Sequence, residues 1–68
     1  MTDQPLTYAL WEAAVMDSAA HKPIRNGQAV MNNSPSSWRD VLPDIYEIDD
    51  WAHPDVVKWF NYAIGNLK

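Results

Sequence analysis

The sequence predicts a small all-α domain, and three observations carry that expectation. Apolar residues recur at helical spacing in the first third and again at the C-terminal end. Prolines and serines fall where helices start and stop. No alternating run of β-branched residues suggests a strand. The expected architecture is a compact bundle of three to four short helices with an irregular acidic connector, forming one domain over residues 1–68.

The first helix is expected from a cap at Thr2 or Asp3, with Pro5 in its first turn, where proline is tolerated. Leu6, Leu10, Ala13, Ala14 and Met16, joined by Tyr8, Trp11 and Val15, make a wide apolar stripe. Glu12 and Asp17 mark its wetter side. The helix should end near Ala20, because Pro23 disfavours helical geometry at Lys22. His21 and Lys22 suit the negative end of the dipole.

The second helix is read over Ile24–Asn33 and contains "RNGQAVMNN". Its Asn-Gly dipeptide would also suit a turn. A glycine inside a helix costs about 1 kcal/mol against alanine. Gly27 therefore needs a reason, and close approach to another backbone is the expected one. Gln28 and Asn32 are four apart and share a face, from which their amides could bond the connector. A phosphate-binding loop is excluded, since it requires several glycines and a lysine at set spacing.

A short third helix follows, "SSWRDVL", with Ser34 as cap and Pro35 at the first helical position, ending before Pro43. The connector "PDIYEIDDWAHP" is too short and too acidic for a strand. The last helix starts at Pro54, behind His53 or Ala52, with Asp55 at its positive end. Its core stripe is expected at Val56, Phe60, Ala63, Ile64 and Leu67. Trp59 and Tyr62 lie to one side, and Gly65 fits a helix stop.

The bulk numbers bound the function. Sixty-eight residues form a small domain, which buries only roughly 60% of the surface its unfolded chain exposes. With no cysteine, neither disulfides nor thiolate zinc sites can brace it. Dense aromatic packing has to serve instead. The chain has four tryptophans, too many to bury fully in so small a core, so at least one is expected at the surface. "LTYALWEAAVMDSAA" is interrupted by acids and too short to span a bilayer, and "MTDQP" lacks the bases of a signal peptide. A soluble, cytoplasmic protein with no membrane contact is expected.

Net charge is −4, which disfavours direct nucleic-acid binding. Lys22, Arg25 and Arg39 would give only weak attachment even if clustered. His21 and His53 stand alone, without a third ligand, so no metal site is expected. The connector does not alternate its oxygens as a calcium loop would. Adjacent Asp49 and Asp50 point apart and do not form an acid/base pair. No cofactor and no catalytic residues are expected.

The remaining signal is charge. Asp44, Glu47, Asp49, Asp50 and Asp55 place five of the chain's nine acids between Pro43 and Asp55, with no lysine or arginine among them. A solvated connector with aspartates capping helices explains part of this. An acidic patch with aromatic anchors, docking on a basic protein surface, explains it as well: acids steer while an aromatic supplies binding energy. The expected partner-binding residues are Asp44, Tyr46, Glu47, Asp49, Asp50 and Trp51. A homodimer seam through Trp59 and Tyr62 is the alternative.

Arg25, Gly27, Gln28, Ala29 and Asn32 form an "RxGQAxxN" motif, followed by "LPDIYEID" and by the aromatic-rich "VVKWFNYAI". In this order the chain resembles a widespread group of short uncharacterised bacterial and bacteriophage proteins over about residues 24–64. Where the group continues with Asp-Pro-Phe-Tyr, this chain has "DDWAHPD". The resemblance implies a small helical fold and nothing catalytic. Together with the acidic patch it leads to the expectation of a phage-encoded or phage-derived module. Such a module would bind and inhibit a host protein, for instance a nucleic-acid-handling enzyme.

Overall fold

The computed structural model describes residues 6–68. Helix α1 (Tyr8–His21) is followed by α2 (Asn26–Asn32), a 3₁₀ turn (Ser36–Asp40), an irregular connector and α3 (Pro54–Asn66). No strand occurs among the described residues. The small all-α architecture is as expected.

The caps expected at Thr2 and Asp3, and Pro5 with them, lie outside the described residues. Within these, Thr7 is the cap: its backbone is extended, and its hydroxyl accepts the amide N–H of Leu10 at 3.2 Å. At the far end Lys22 is extended, as the following proline requires, and its N–H bonds the Ser18 carbonyl.

The buried face of α1 is Trp11, Val15 and Ser18. Trp11 and Val15 belong to the wide stripe expected from the sequence, but two other members of it face outward: Leu10 is 52% exposed and Met16 42%. The helix is apolar on nearly all sides, so spacing alone fixes no phase. The indole of Trp11 decides it. It is the largest group to bury, and its N–H donates to Ser34 Oγ at 2.9 Å. That hydroxyl donates in turn to the Val30 carbonyl. Ser34 is thus a buttress between α1 and α2 and not the cap expected of it; Pro35 precedes the 3₁₀ turn as its N-cap residue.

Helix α2 is shorter than expected, opening at Asn26 behind an extended Arg25. Gly27, Ala29, Val30 and Met31 are buried. Asn33 donates its amide to Ser18 Oγ at 3.0 Å and to the Ala29 carbonyl at 2.8 Å, tying the end of α2 to α1.

Helix α3 opens on His53, whose Nδ1 accepts the Asp55 N–H at 3.1 Å, with Pro54 at the first position. Its buried residues are Val56, Trp59 and Ala63. Phe60 and Leu67 are half-buried, and Ile64 is 60% exposed. The stripe is therefore rotated from the expected one, toward the larger aromatic. Trp59 is fully buried and its indole N–H donates to the Pro43 carbonyl at 2.7 Å. It lies in the core and not beside it, so it offers no surface for a homodimer seam. Tyr62 is half-buried, edge-on to Trp38 at 5.1 Å. Gly65 sits in the last helical turn, next to the stop expected there, and it has no positive φ; Leu67 caps the helix.

The centre of the molecule is a run of indoles. Trp38 lies 6.1 Å from Trp11 and 6.4 Å from Trp59 by ring centroids, both pairs tilted. Such pairs contribute about 0.5–1.5 kcal/mol beyond their area burial, a useful share for a domain of this size.

Candidate functional site: the acidic connector

The connector is irregular but well held. Ile45 points inward and is fully buried. Gly27 is what lets it in. A Cβ at position 27 would overlap the Ile45 carbonyl oxygen and lie 2.8 Å from that of Ile48. The Gly27 N–H donates to the Ile48 carbonyl at 2.7 Å. The glycine thus brings the start of α2 against the connector backbone, as its place in the sequence suggested.

Asp49 fastens the same junction. Its Oδ2 accepts from Arg25 Nη1 at 2.7 Å and its Oδ1 from the Asn26 N–H at 3.2 Å. Asn26 returns the bond, its side-chain amide donating to the Asp49 carbonyl at 2.6 Å. The Asp49 carboxylate therefore caps α2 from outside it, and its charge is matched by Arg25. Asp44 and Asp50 each stabilise a turn, Oδ1 accepting at 2.9 Å from the N–H of Tyr46 and of Ala52 respectively.

The six expected binding residues therefore divide by role. Asp49 is committed to the fold. Asp44 and Asp50 shape turns while their carboxylates stay exposed. Tyr46 is 44% exposed, its hydroxyl accepting from Gln28 Nε2 at 2.8 Å. Glu47 is exposed and bonds no other described residue. Asp44, Tyr46, Glu47 and Ile48 line one shallow hollow. Trp51 is the tryptophan left at the surface, 36% exposed. It lines a different, almost wholly apolar groove with Met16, Val57 and Phe60.

Sequence reasoning missed Arg25 and Asn26 as the connector's latch and Met16, Val57 and Phe60 as groove walls. The one available signal was the Asn-Gly dipeptide, whose asparagine does the bonding. Of the amides expected to reach the connector, Gln28 does so through Tyr46; Asn32 is exposed and does not. Arg25 is engaged by Asp49, and Arg39 reaches the Met31 carbonyl at 3.4 Å.

Among the described residues no cluster of three or more His, Asp or Glu side chains could hold a metal ion, and no helix is long and apolar enough to cross a membrane. Every buried side-chain polar atom among them has a partner. The phenol of Tyr8 is pushed above its ordinary value, chiefly by desolvation and then by its hydrogen bond to and charge repulsion from Glu12. No family model, curated protein or solved structure matches the chain.

Proposed function

We propose that this chain is a small non-catalytic protein-binding module that docks on a basic protein surface through Asp44, Tyr46, Glu47, Asp50 and Trp51. Binding there inhibits the partner by covering its basic surface. One observation carries the reading. The connector is anchored on its inner side by Ile45, Gly27 and Asp49, while Glu47, Tyr46 and the carboxylates of Asp44 and Asp50 face solvent. A surface already ordered before docking loses little conformational freedom on binding. The resemblance over residues 24–64 favours a bacterial host protein as partner, and a nucleic-acid-handling enzyme offers the basic cleft such acids would match.

The test is affinity capture from a bacterial lysate with the tagged protein, compared with Glu47→Lys and with Asp44→Asn/Asp50→Asn. Asparagine keeps both turns while removing the charge. Asp49 is left intact, since reversing it would break the latch. A specific partner should be lost or weakened in both variants, with residual affinity falling as salt rises. A partner retained equally by all three proteins refutes the reading.

A further inference from the structure

Asn26 alone among the asparagines precedes a glycine, and that pair has a chemistry of its own. The side-chain amide carbon of an asparagine is an electrophile, and in a flexible chain the backbone nitrogen of the next residue can reach it. Glycine makes the attack easiest, because no side chain crowds that nitrogen and its backbone turns freely. The same two residues build the latch between α2 and the connector.

In the folded protein three features keep them from reacting. Asn26 is helical, whereas closing a five-membered ring needs a backbone torsion far from the helical one. The Asn26 side-chain amide is tied to the Asp49 carbonyl at 2.6 Å, and its N–H to Asp49 Oδ1 at 3.2 Å. The nucleophile is masked as well. The Gly27 N–H must lose its proton before the nitrogen can attack, yet it donates to the Ile48 carbonyl at 2.7 Å and Gly27 is buried. A helix of seven residues does not hold its shape alone, so all three safeguards end together when α2 and the connector part. The fold cannot dispense with either residue: a Cβ at position 27 would overlap the Ile45 carbonyl oxygen, and Asn26 makes two of the bonds to Asp49.

We propose that Asn26-Gly27 is a latent self-modification site, guarded by the connector and opened by unfolding. The Gly27 nitrogen attacks Cγ of Asn26. A C–N bond forms, the Cγ–Nδ2 bond breaks, and Nδ2 leaves as ammonia with the Gly27 proton. Water then opens the cyclic imide. Attack at Cγ gives aspartate in an ordinary backbone. Attack at the former main-chain carbonyl carbon gives isoaspartate, with one more carbon in the main chain. The sum is one water consumed and one ammonia released, with no oxidation or reduction.

Neither product fits the latch. Both replace the amide donor with a carboxylate, set against the Asp49 carbonyl oxygen and close to the Asp49 carboxylate. Isoaspartate also shifts Gly27 against a backbone contact that has no slack. Modification thus turns a reversible opening into a one-way exit from the folded state, and the ordered surface of Tyr46, Glu47 and Asp50 is lost with it. The chemistry needs no partner, so it stands or falls apart from the docking proposal.

The test is peptide mapping by mass spectrometry on protein held at mildly alkaline pH and digested at mildly acid pH, so that no ring closes during cleavage. Samples are kept in native buffer, across a denaturant series and fully denatured. Conversion at Asn26 should be about a hundredfold or more slower in native buffer than in full denaturant, and should rise in step with the unfolded fraction between them. Asp49→Ala, shown to be folded by circular dichroism, should speed it about fivefold in native buffer, the factor that a lost cap gives an opening equilibrium. It should leave the denatured rate unchanged. If Asp49→Ala does not fold, the denaturant series on the unaltered protein decides. Encoded Asn26→Asp and the purified isoaspartate form should both exchange the Gly27 N–H faster and unfold at lower denaturant than the unmodified protein. Equal rates in native buffer and in denaturant, a native rate that folded Asp49→Ala leaves unchanged, or modified protein with the unmodified midpoint overturns the proposal.

Discussion

Gly27 leaves no room for a side chain between the start of α2 and the carbonyl oxygen of Ile45. The obstacle is backbone and not the end of a flexible side chain, so it cannot swing aside. Gly27→Ala should therefore destabilise the protein by about 3 kcal/mol despite the better helix propensity of alanine. Chemical denaturation measures this; a loss below about 0.5 kcal/mol would mean that the connector yields without cost.

Gly65 is the internal control. It is helical, and nothing outside its own helix lies near the position of an added Cβ. Gly65→Ala should raise stability by about 0.5–1 kcal/mol, through propensity and a less flexible unfolded chain. The two substitutions, chemically identical, should move the denaturation midpoint in opposite directions.

The carboxylate of Asp49 works more by capping than by pairing. Its ion pair with Arg25 is exposed on both sides and so contributes little. Asp49→Ala should cost about 1 kcal/mol, the usual value of a helix cap, while Asp49→Asn should retain most of that stability. If Asp49→Asn is as damaging as Asp49→Ala, charge outweighs the hydrogen bond.

Ser34 links two helices through one hydroxyl, accepting from Trp11 and donating to Val30. Ser34→Ala strands the indole N–H and should cost about 1–3 kcal/mol. A double variant with Trp11→Phe should be less than additive, since the phenyl ring has no donor to strand.

Tyr8 should lend the fold a pH dependence on the alkaline side. Its folded pKa is raised above the ordinary 10.0, first by desolvation and then by Glu12. The stability this represents is fully present below that value and is lost as pH rises through the folded pKa. Glu12→Gln should move the Tyr8 titration, followed by carbon NMR of the phenol ring, back toward the ordinary value. An unmoved midpoint would assign the whole shift to burial.

Helix boundaries were legible where chemistry is local. His53-Pro54 marked the start of α3, Lys22-Pro23 the end of α1, and Gly27 its own close contact. The phases of the stripes were not legible. Leu10 and Trp11 are neighbours on a helix apolar nearly all round, and Trp59 and Phe60 are neighbours on another. In each case a long-range hydrogen bond from the indole, to Ser34 or to Pro43, selects the tryptophan, and no spacing rule contains that bond. The connector's acids were read as solvated or as capping helices; Asp49 does cap a helix, whereas Asp44 and Asp50 hold turns. Which acid did which depended on Arg25 and Asn26, over twenty residues away in sequence. The groove was invisible for the same reason: its walls come from α1, the connector and α3.

Ile45 fills the core from a segment without regular secondary structure. A loop that merely covers a core can open by itself; one that plugs it cannot. Amide hydrogen exchange should register the difference. The N–H of Gly27, held by the Ile48 carbonyl, and that of Ile48, held by Ile45, should exchange only as slowly as the whole molecule unfolds. The connector would then belong to the same cooperative unit as the helices it joins.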